Sequence, residues 1–238
     1  MDNAIYASLT RQAGLMSEMR AIANNIANAS TTGFRKEGVV FAEHVKALGT
    51  AEPSLSMASA SGRLVSLDQG GLSRTGGSFD LAIEGDGFFM IQTPSGPQLT
   101  RAGNFTPSAE GELVTADGHA VLDTGGSPIP VPPGTRAFAV AQDGTLSADG
   151  VPVSRIGVFG AADPSQLIHA GNNRFSVNGT PEPVEDARIF QGFLEESNVS
   201  PITEIARMIE VQRAYEMGQS FLDKEDGRIR AVLQSMGR

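Results

Sequence analysis

Apolar residues near both ends of the chain recur at steps of three and four. Between the ends they come in short runs broken by turn residues. In the first stretch Ile5, Leu9, Met16, Met19, Ala23 and Ile26 follow the three-and-four spacing, and Gln12 fills the gap in the series. This is a heptad-like stripe, which Leu15 and Ile22 widen on one side. It predicts a helix over residues 3–28, about 39 Å long at 1.5 Å per residue. A narrow stripe containing methionines favours packing against another helix over lying on a broad sheet. Asn24, Asn25 and Asn28 crowd the end of this helix. Asparagine bonds to nearby backbone and forms helix poorly, so Asn28 marks the terminus, while Asn24 and Asn25 stand too early for that role and suit contacts with a neighbour. Ser30-Thr31-Thr32-Gly33 reads as the turn that follows, with Gly33 free to take positive φ and Phe34 as the first apolar anchor beyond it.

The far end repeats the pattern. Ser200-Pro201 is a start signal, a capping hydroxyl followed by proline at the first helical position. Met208, Tyr215, Leu222, Ile229 and Met236 then stand on an unbroken seven-residue step. A parallel row through Ile205, Gln212, Gln219, Asp226 and Leu233 is polar in its middle. A helix over 201–236 would span about 54 Å. Glu204–Arg207, Glu210–Arg213 and Asp226–Arg230 are helix-compatible charge pairs, each worth a few tenths of a kcal/mol. Gly218 and Gly227 each weaken the helix by about 1 kcal/mol relative to alanine. Such a helix needs partners. Neither end helix has a helical neighbour in sequence, so the simplest expectation is that they pair antiparallel. That pairing would leave Leu15, Ile22, Ile202 and Ile209 beside the seam for helices of other subunits.

Residues 35–78 read as an irregular, partly extended connector. Gly49–Gly62 is rich in Ala, Ser and Gly, and a hairpin could run through Arg63–Leu67. From Phe79 onward short strands alternate with glycine turns. Asp80–Glu84, Phe88–Ile91, Ala120–Leu122, Ala137–Val140 and Arg155–Phe159 are strands, with Asp117-Gly118 and Asp143-Gly144 among the turns. Ser165–His169 reads as one short helical turn. The expected fold class is therefore α+β. Long N- and C-terminal helices (1–34 with 197–238) pair as a coiled-coil-like domain, and a central antiparallel, barrel-like β domain covers 79–196.

Charge and composition narrow the function. Residues 37–195 hold eight basic and eighteen acidic side chains, which accounts for the net charge of −9. An acidic centre has no nucleic-acid footprint and favours solubility. There is no cysteine, which excludes disulfides and thiolate metal sites. No stretch approaches the ~18 apolar residues of a membrane span. Asp2, Arg11, Glu18 and Arg20 interrupt any cleavable-signal pattern.

Candidate chemistry is weak at each position considered. His44, His119 and His169 lack metal-pair spacing. Gly85-Asp86-Gly87 leads into a strand rather than a helix, so it fails as a dinucleotide loop. Glu84 and Asp86 read better as turn residues than as a catalytic carboxylate pair. Asn178-Gly179-Thr180 and Asn198-Val199-Ser200 match the glycosylation sequon, a pattern that often arises by chance. The expectation is a non-enzymatic protein without cofactor or metal. The rivals are an enzyme and a dimeric adaptor.

Three motifs carry a family resemblance. Ala23-Asn-Asn-Ile-Ala-Asn-Ala-Ser-Thr-Thr-Gly-Phe-Arg-Lys36 resembles the N-terminal signature of the bacterial flagellar rod and hook proteins. Ile83–Phe89, Leu99–Phe105 and Gly111–Val114 resemble that family's β-body signature. Glu196–Val199 with Met208-Ile209 and Gln212–Glu216 resembles its C-terminal signature. Together they cover nearly the whole chain in the right order. The start Met1-Asp-Asn-Ala-Ile-Tyr6 and the modest length resemble the proximal-rod branch. The distal-rod branch is the alternative within the family, and an enzyme acting on the cell wall that the rod crosses is the rival from another class. Arg35 departs from the lysine common in the wider family.

The resemblance implies a structural axial subunit of the basal-body rod, assembling with copies of itself and other rod proteins to carry torque from motor to hook. It implies passage through the flagellum's own type III export apparatus, with no nucleic-acid or membrane partner. The interface residues expected of such a subunit are those of the helix stripes: Ile5, Leu9, Met16, Met19, Ile26, Ile205, Met208, Tyr215, Leu222 and Ile229. The family motif falls on Asn24, Asn25, Asn28, Gly33 and Phe34.

Overall fold

The computed structural model describes residues 2–46, 55–161 and 163–236. Part of Gly49–Gly62 and the side chain of Ile5 lie outside the described residues. The chain divides into two units. The first comprises Met1–Ala27, Glu37–Leu64 and Ser200–Arg238, and the second Asn28–Lys36 with Val65–Val199.

In chain order the elements begin with helix α1 (Asp2–Ala27) and the strands β1 (Glu37–Lys46), β2 (Leu55–Val65), β3 (Leu72–Arg74), β4 (Leu81–Glu84), β5 (Phe88–Thr93) and β6 (Gly96–Thr100). The strands β7 (Thr106–Pro107), β8 (Leu113–Val114), β9 (Ala120–Val121), β10 (Phe138–Val140), β11 (Thr145–Ala148), β12 (Val151–Arg155) and β13 (Val158–Gly160) follow. After a 3-10 turn at Pro164–Gln166 come β14 (Leu167–Gly171), β15 (Arg174–Val177), β16 (Glu182–Pro183), β17 (Arg188–Gln191) and β18 (Phe193–Glu195), then helix α2 (Pro201–Met236). Among the described residues no helix is long and apolar enough to cross a membrane.

The first unit holds α1, α2 and the two-stranded β1–β2 sheet. Both helices start and stop within a residue or so of the positions their patterns predict. The Ser200 carbonyl accepts from the Glu204 N–H at 3.0 Å, closing the first turn of α2 just ahead of Pro201. The helices run antiparallel: Gln12 meets Gln219, Glu18 meets Arg207 and Asn25 meets Glu204.

The expected fold class needs correction on both counts. The coiled-coil-like helical domain does not form. Val211 is the only apolar residue of α2 that is fully buried, and the helix buries Glu204 beside it. The packed patch consists of Leu15, Ile22 and Val211, flanked by Met19, Ile26, Met208, Ala214 and Tyr215. The reason lies in side-chain chemistry. The positions that α1 turns inward include Gln12 and Asn25, and α2 answers with Glu204 and Gly218, so no continuous apolar seam exists to interlock. Leu15 and Ile22, expected at the margin, are buried, whereas Leu9, Met16 and Ile205 are exposed.

The β-rich centre forms, but as several antiparallel sheets rather than one barrel-like sheet. The largest has nine strands along the path β14-β15-β6-β5-β9-β8-β7, with β13 pairing β5 and β16. Beside it stand the three-stranded β10-β11-β12 sheet and the pairs β17–β4 and β18–β3. Short strands, several of two or three residues, cannot supply the continuous ladder that closure requires.

Strand β5 shows how the body packs. Phe88-Phe89-Met90-Ile91 reads as an unbroken apolar run because both faces of the strand are covered. Phe89 and Ile91 enter one core with Leu81, Ile83, Leu113 and Ile129. Phe88 and Met90 enter a second with Leu99, Phe159 and Phe175. Gly103 permits the close approach behind this strand, since a Cβ there would lie 1.7 Å from the Leu81 carbonyl oxygen.

Candidate assembly surface and polar joint

The helix stripes predicted an interface, and the structure sorts their residues into two groups. Met19, Ile26, Met208 and Tyr215 are half-buried against the Leu15–Ile22–Val211 patch. Leu9, Met16 and Ile205 are exposed, at 48%, 37% and 50%. Leu222 and Ile229 are half-buried further along α2. Ile5 lies in α1.

The exposed apolar residues continue along α2 through Ile202, Ile209, Met217, Phe221, Val232, Leu233 and Met236. A cleft of about 410 Å³ between α1 and α2 is lined by Leu15, Ala214, Met217 and Phe221, with Arg11 and Gln12. These exposed apolar residues are spread along the length of a charged helix.

Polar contacts set the helix register. Arg207 bonds Glu18 at 2.7 Å and Glu210 at 3.1 Å. The bond with Glu18 holds the guanidinium above its ordinary pKa. Asn25 is almost fully buried. Its Nδ2 donates to the Glu37 carbonyl at 2.8 Å and to Glu204 Oε2 at 3.0 Å, while its Oδ1 accepts the Glu37 N–H at 2.9 Å. One asparagine thus pins α1 to the start of β1 and to the first turn of α2. Asn24 is half-buried. Asn28 closes the turn, accepting the Thr31 N–H on its carbonyl and the Thr31 hydroxyl on Oδ1.

In the second unit, the turn at Gly33 seats against the body. Gly33 has φ +66°, and a Cβ there would lie 2.4 Å from the Arg101 carbonyl carbon. Glycine is thus required twice, for its backbone angle and for its lack of bulk. Phe34 is buried behind it.

Next to this turn lies an ionic node that the pattern analysis did not find. Glu195 accepts from Arg35 on Oε1 at 3.0 Å and from Arg101 on Oε2 at 3.0 Å, and all three side chains are at most 2% exposed. Gly70 N–H also donates to Oε1 at 3.0 Å. Arg35 reaches the Asp68 carbonyl as well, and Arg101 the carbonyls of Ile83 and Gly85. Burial pushes both guanidinium groups below their ordinary pKa, Arg101 to about 10, although the carboxylate between them pulls the other way. Both remain cations at neutral pH. Arg35, Arg101 and Glu195 lie in or beside the three sequence motifs, so segments 66 and 94 residues apart converge on one carboxylate. Charge alternation gives no hint of such a node.

One unit of paired helices with exposed apolar residues, and one β-rich unit held by a buried ionic node, define a structural building block. The chain belongs to the flagellar basal-body rod protein family, whose members are structural subunits of the rod. Three family models match in order: "Flagella basal body rod protein" over residues 5–35, "Flagellar hook protein FlgE/F/G D1 domain" over 82–148, and "Flagellar basal body rod FlgEFG protein C-terminal" over 191–235.

Among curated relatives, the flagellar basal-body rod protein FlgF of Caulobacter vibrioides is 41% identical over 100% of this chain and 99% of its own length. FlgF of Mesorhizobium japonicum is 42% identical over 91% of this chain and 90% of its own. FlgG of Bacillus subtilis is 32% identical over 95% and 96%. Similarity to FlgF proteins thus runs over the full length of the chain.

Proposed function

We propose that this chain is a subunit of the proximal segment of the flagellar rod. It assembles through its terminal helices with copies of itself and with other rod proteins, and carries torque without catalysing a reaction. The observation that supports this reading best is the end-to-end similarity to FlgF proteins, with neither chain left over. The exposed row of Leu9, Met16, Ile205 and Ile209 supports the helical route of assembly, since apolar surface on long helices is stabilised by covering it. Passage outward through the flagellum's own export apparatus, to a rod spanning the periplasm, completes the reading. The similarity to FlgG over nearly the whole chain favours a distal-rod position as the second reading.

The test is complementation of a strain lacking this gene, scored by motility and by isolated basal bodies. Leu9→Asp and Leu222→Asp place a charge on the helix surface, and each should abolish rod completion while the β-body keeps its wild-type thermal transition. Normal rods from both variants would overturn the role given to the helices. Placing the chain at the hook-proximal end of the rod would select the distal reading.

A further inference from the structure

Four times the chain passes between the two units: after Ala27, after Lys36, after Leu64 and after Val199. The second-unit ends of these passages are bonded to one another. The Gly33 N–H donates to the Glu195 carbonyl at 2.7 Å, and the Ser66 N–H to the Lys36 carbonyl at 2.8 Å. The Lys36 N–H donates to Asn198 Oδ1 at 2.6 Å, and Asn198 Nδ2 donates in turn to the Asp68 carbonyl at 2.8 Å. The Glu196 N–H donates to the Gly71 carbonyl at 2.7 Å. The Glu195 carboxylate draws in Gly70, Arg35 and Arg101. Arg101 belongs to none of the four passages. It follows β6 and is fixed to the end of β4 through Ile83 and Gly85.

We propose that Glu195 and Asn198 are positioning residues that gather the four passages into one node. Arg101 fastens that node to the β-body, so that force arriving along the chain from the terminal helices is shared by the whole body. This rests on the rod reading, because a rod subunit is what has torque to carry. The mechanical logic is that bonds loaded one after another open one after another, whereas bonds gathered at a single point must break together. Burial strengthens the effect. Charge-assisted bonds shielded from water are stronger than exposed ones, and a mispaired buried charge is costly, so the node has one stable arrangement. Asn198 does the same work with an amide that bridges the outgoing and returning chain.

Hydrogen exchange on the purified full-length chain tests the node independently of the rod. Glu195→Gln removes its centre, and Asn198→Ala removes one tie without leaving a buried charge. In each variant, exchange at residues 33–36, 66–71 and 195–199 should rise together, by at least about tenfold, while β5 keeps its protection. A rise confined to 195–199 would overturn the proposal. Should Glu195→Gln fail to fold, Asn198→Ala decides the matter alone.

In cells lacking the native gene, Asn198→Ala should build rods in wild-type number yet shed filaments or lose speed as the viscosity of the medium is raised. A wild-type response to load would overturn the sharing of force. Failure of the wild-type chain itself to restore motility would overturn the rod reading and the force-sharing with it, while the exchange result still decides the node.

Discussion

Gly33 and Glu195 carry the sharpest consequences of any single residues. At Gly33 an added Cβ meets both the left-handed backbone angle, which costs about 1–2 kcal/mol outside glycine, and the Arg101 backbone at 2.4 Å. Gly33→Ala should therefore destabilise the second unit by more than the backbone angle alone would, measured by urea denaturation. Glu195 is a single carboxylate between two guanidinium groups. Removing it leaves two like charges buried together, whereas removing Arg101 leaves one balanced pair. Glu195→Gln should cost about 3–5 kcal/mol, and Arg101→Met should cost less. The reverse order would mean that the carbonyl contacts of Arg101 outweigh its charge. Asn25 is the residue whose role changed most. The sequence suggests a contact with a neighbour for it, but its side chain completes three hydrogen bonds within the first unit, tying together α1, β1 and α2.

The elements were legible where one periodicity ran long enough to identify itself. The bounds of α1 and α2 follow from their stripes, the asparagine cluster and Ser200-Pro201. The inward face of α1 did not follow. Leu9 and Met16 fit the stripe as well as Leu15 and Ile22 do, and only the position of Val211 on the other helix decides which pair is buried. The number of sheets was hidden for a related reason. Two- and three-residue strands carry no period, and their pairing is set by contacts far away in sequence, such as Phe159 beside Phe88. The node at Glu195 was invisible because it joins segments that nothing local links. The choice of buried face is open to measurement. Leu15→Ala should cost about 2–5 kcal/mol in the isolated chain. Leu9→Ala should change stability by less than about 0.5 kcal/mol while still impairing assembly. Equal losses of stability in the two variants would refute the division between folding and assembly residues.

At the scale of the whole molecule, the two jobs of the chain fall on different residues. Leu15, Ile22 and Val211 hold the helices together, while Leu9, Ile205, Ile209 and Ile202 are exposed, and the proposal gives these the contacts with other subunits. A dilute monomer should accordingly be cut by protease near both termini before its β-body is touched, and assembly should protect those sites. The central claim is that the chain is a rod subunit joined to its neighbours through these helix rows. The most direct measurement is an image of the intact basal body at side-chain resolution, taken from cells that make this protein. The account predicts the chain within the rod, with Leu9, Met16, Ile205 and Ile209 in contact with neighbouring subunits. Finding the chain outside the rod, or finding those four side chains facing open solvent within it, would contradict the account.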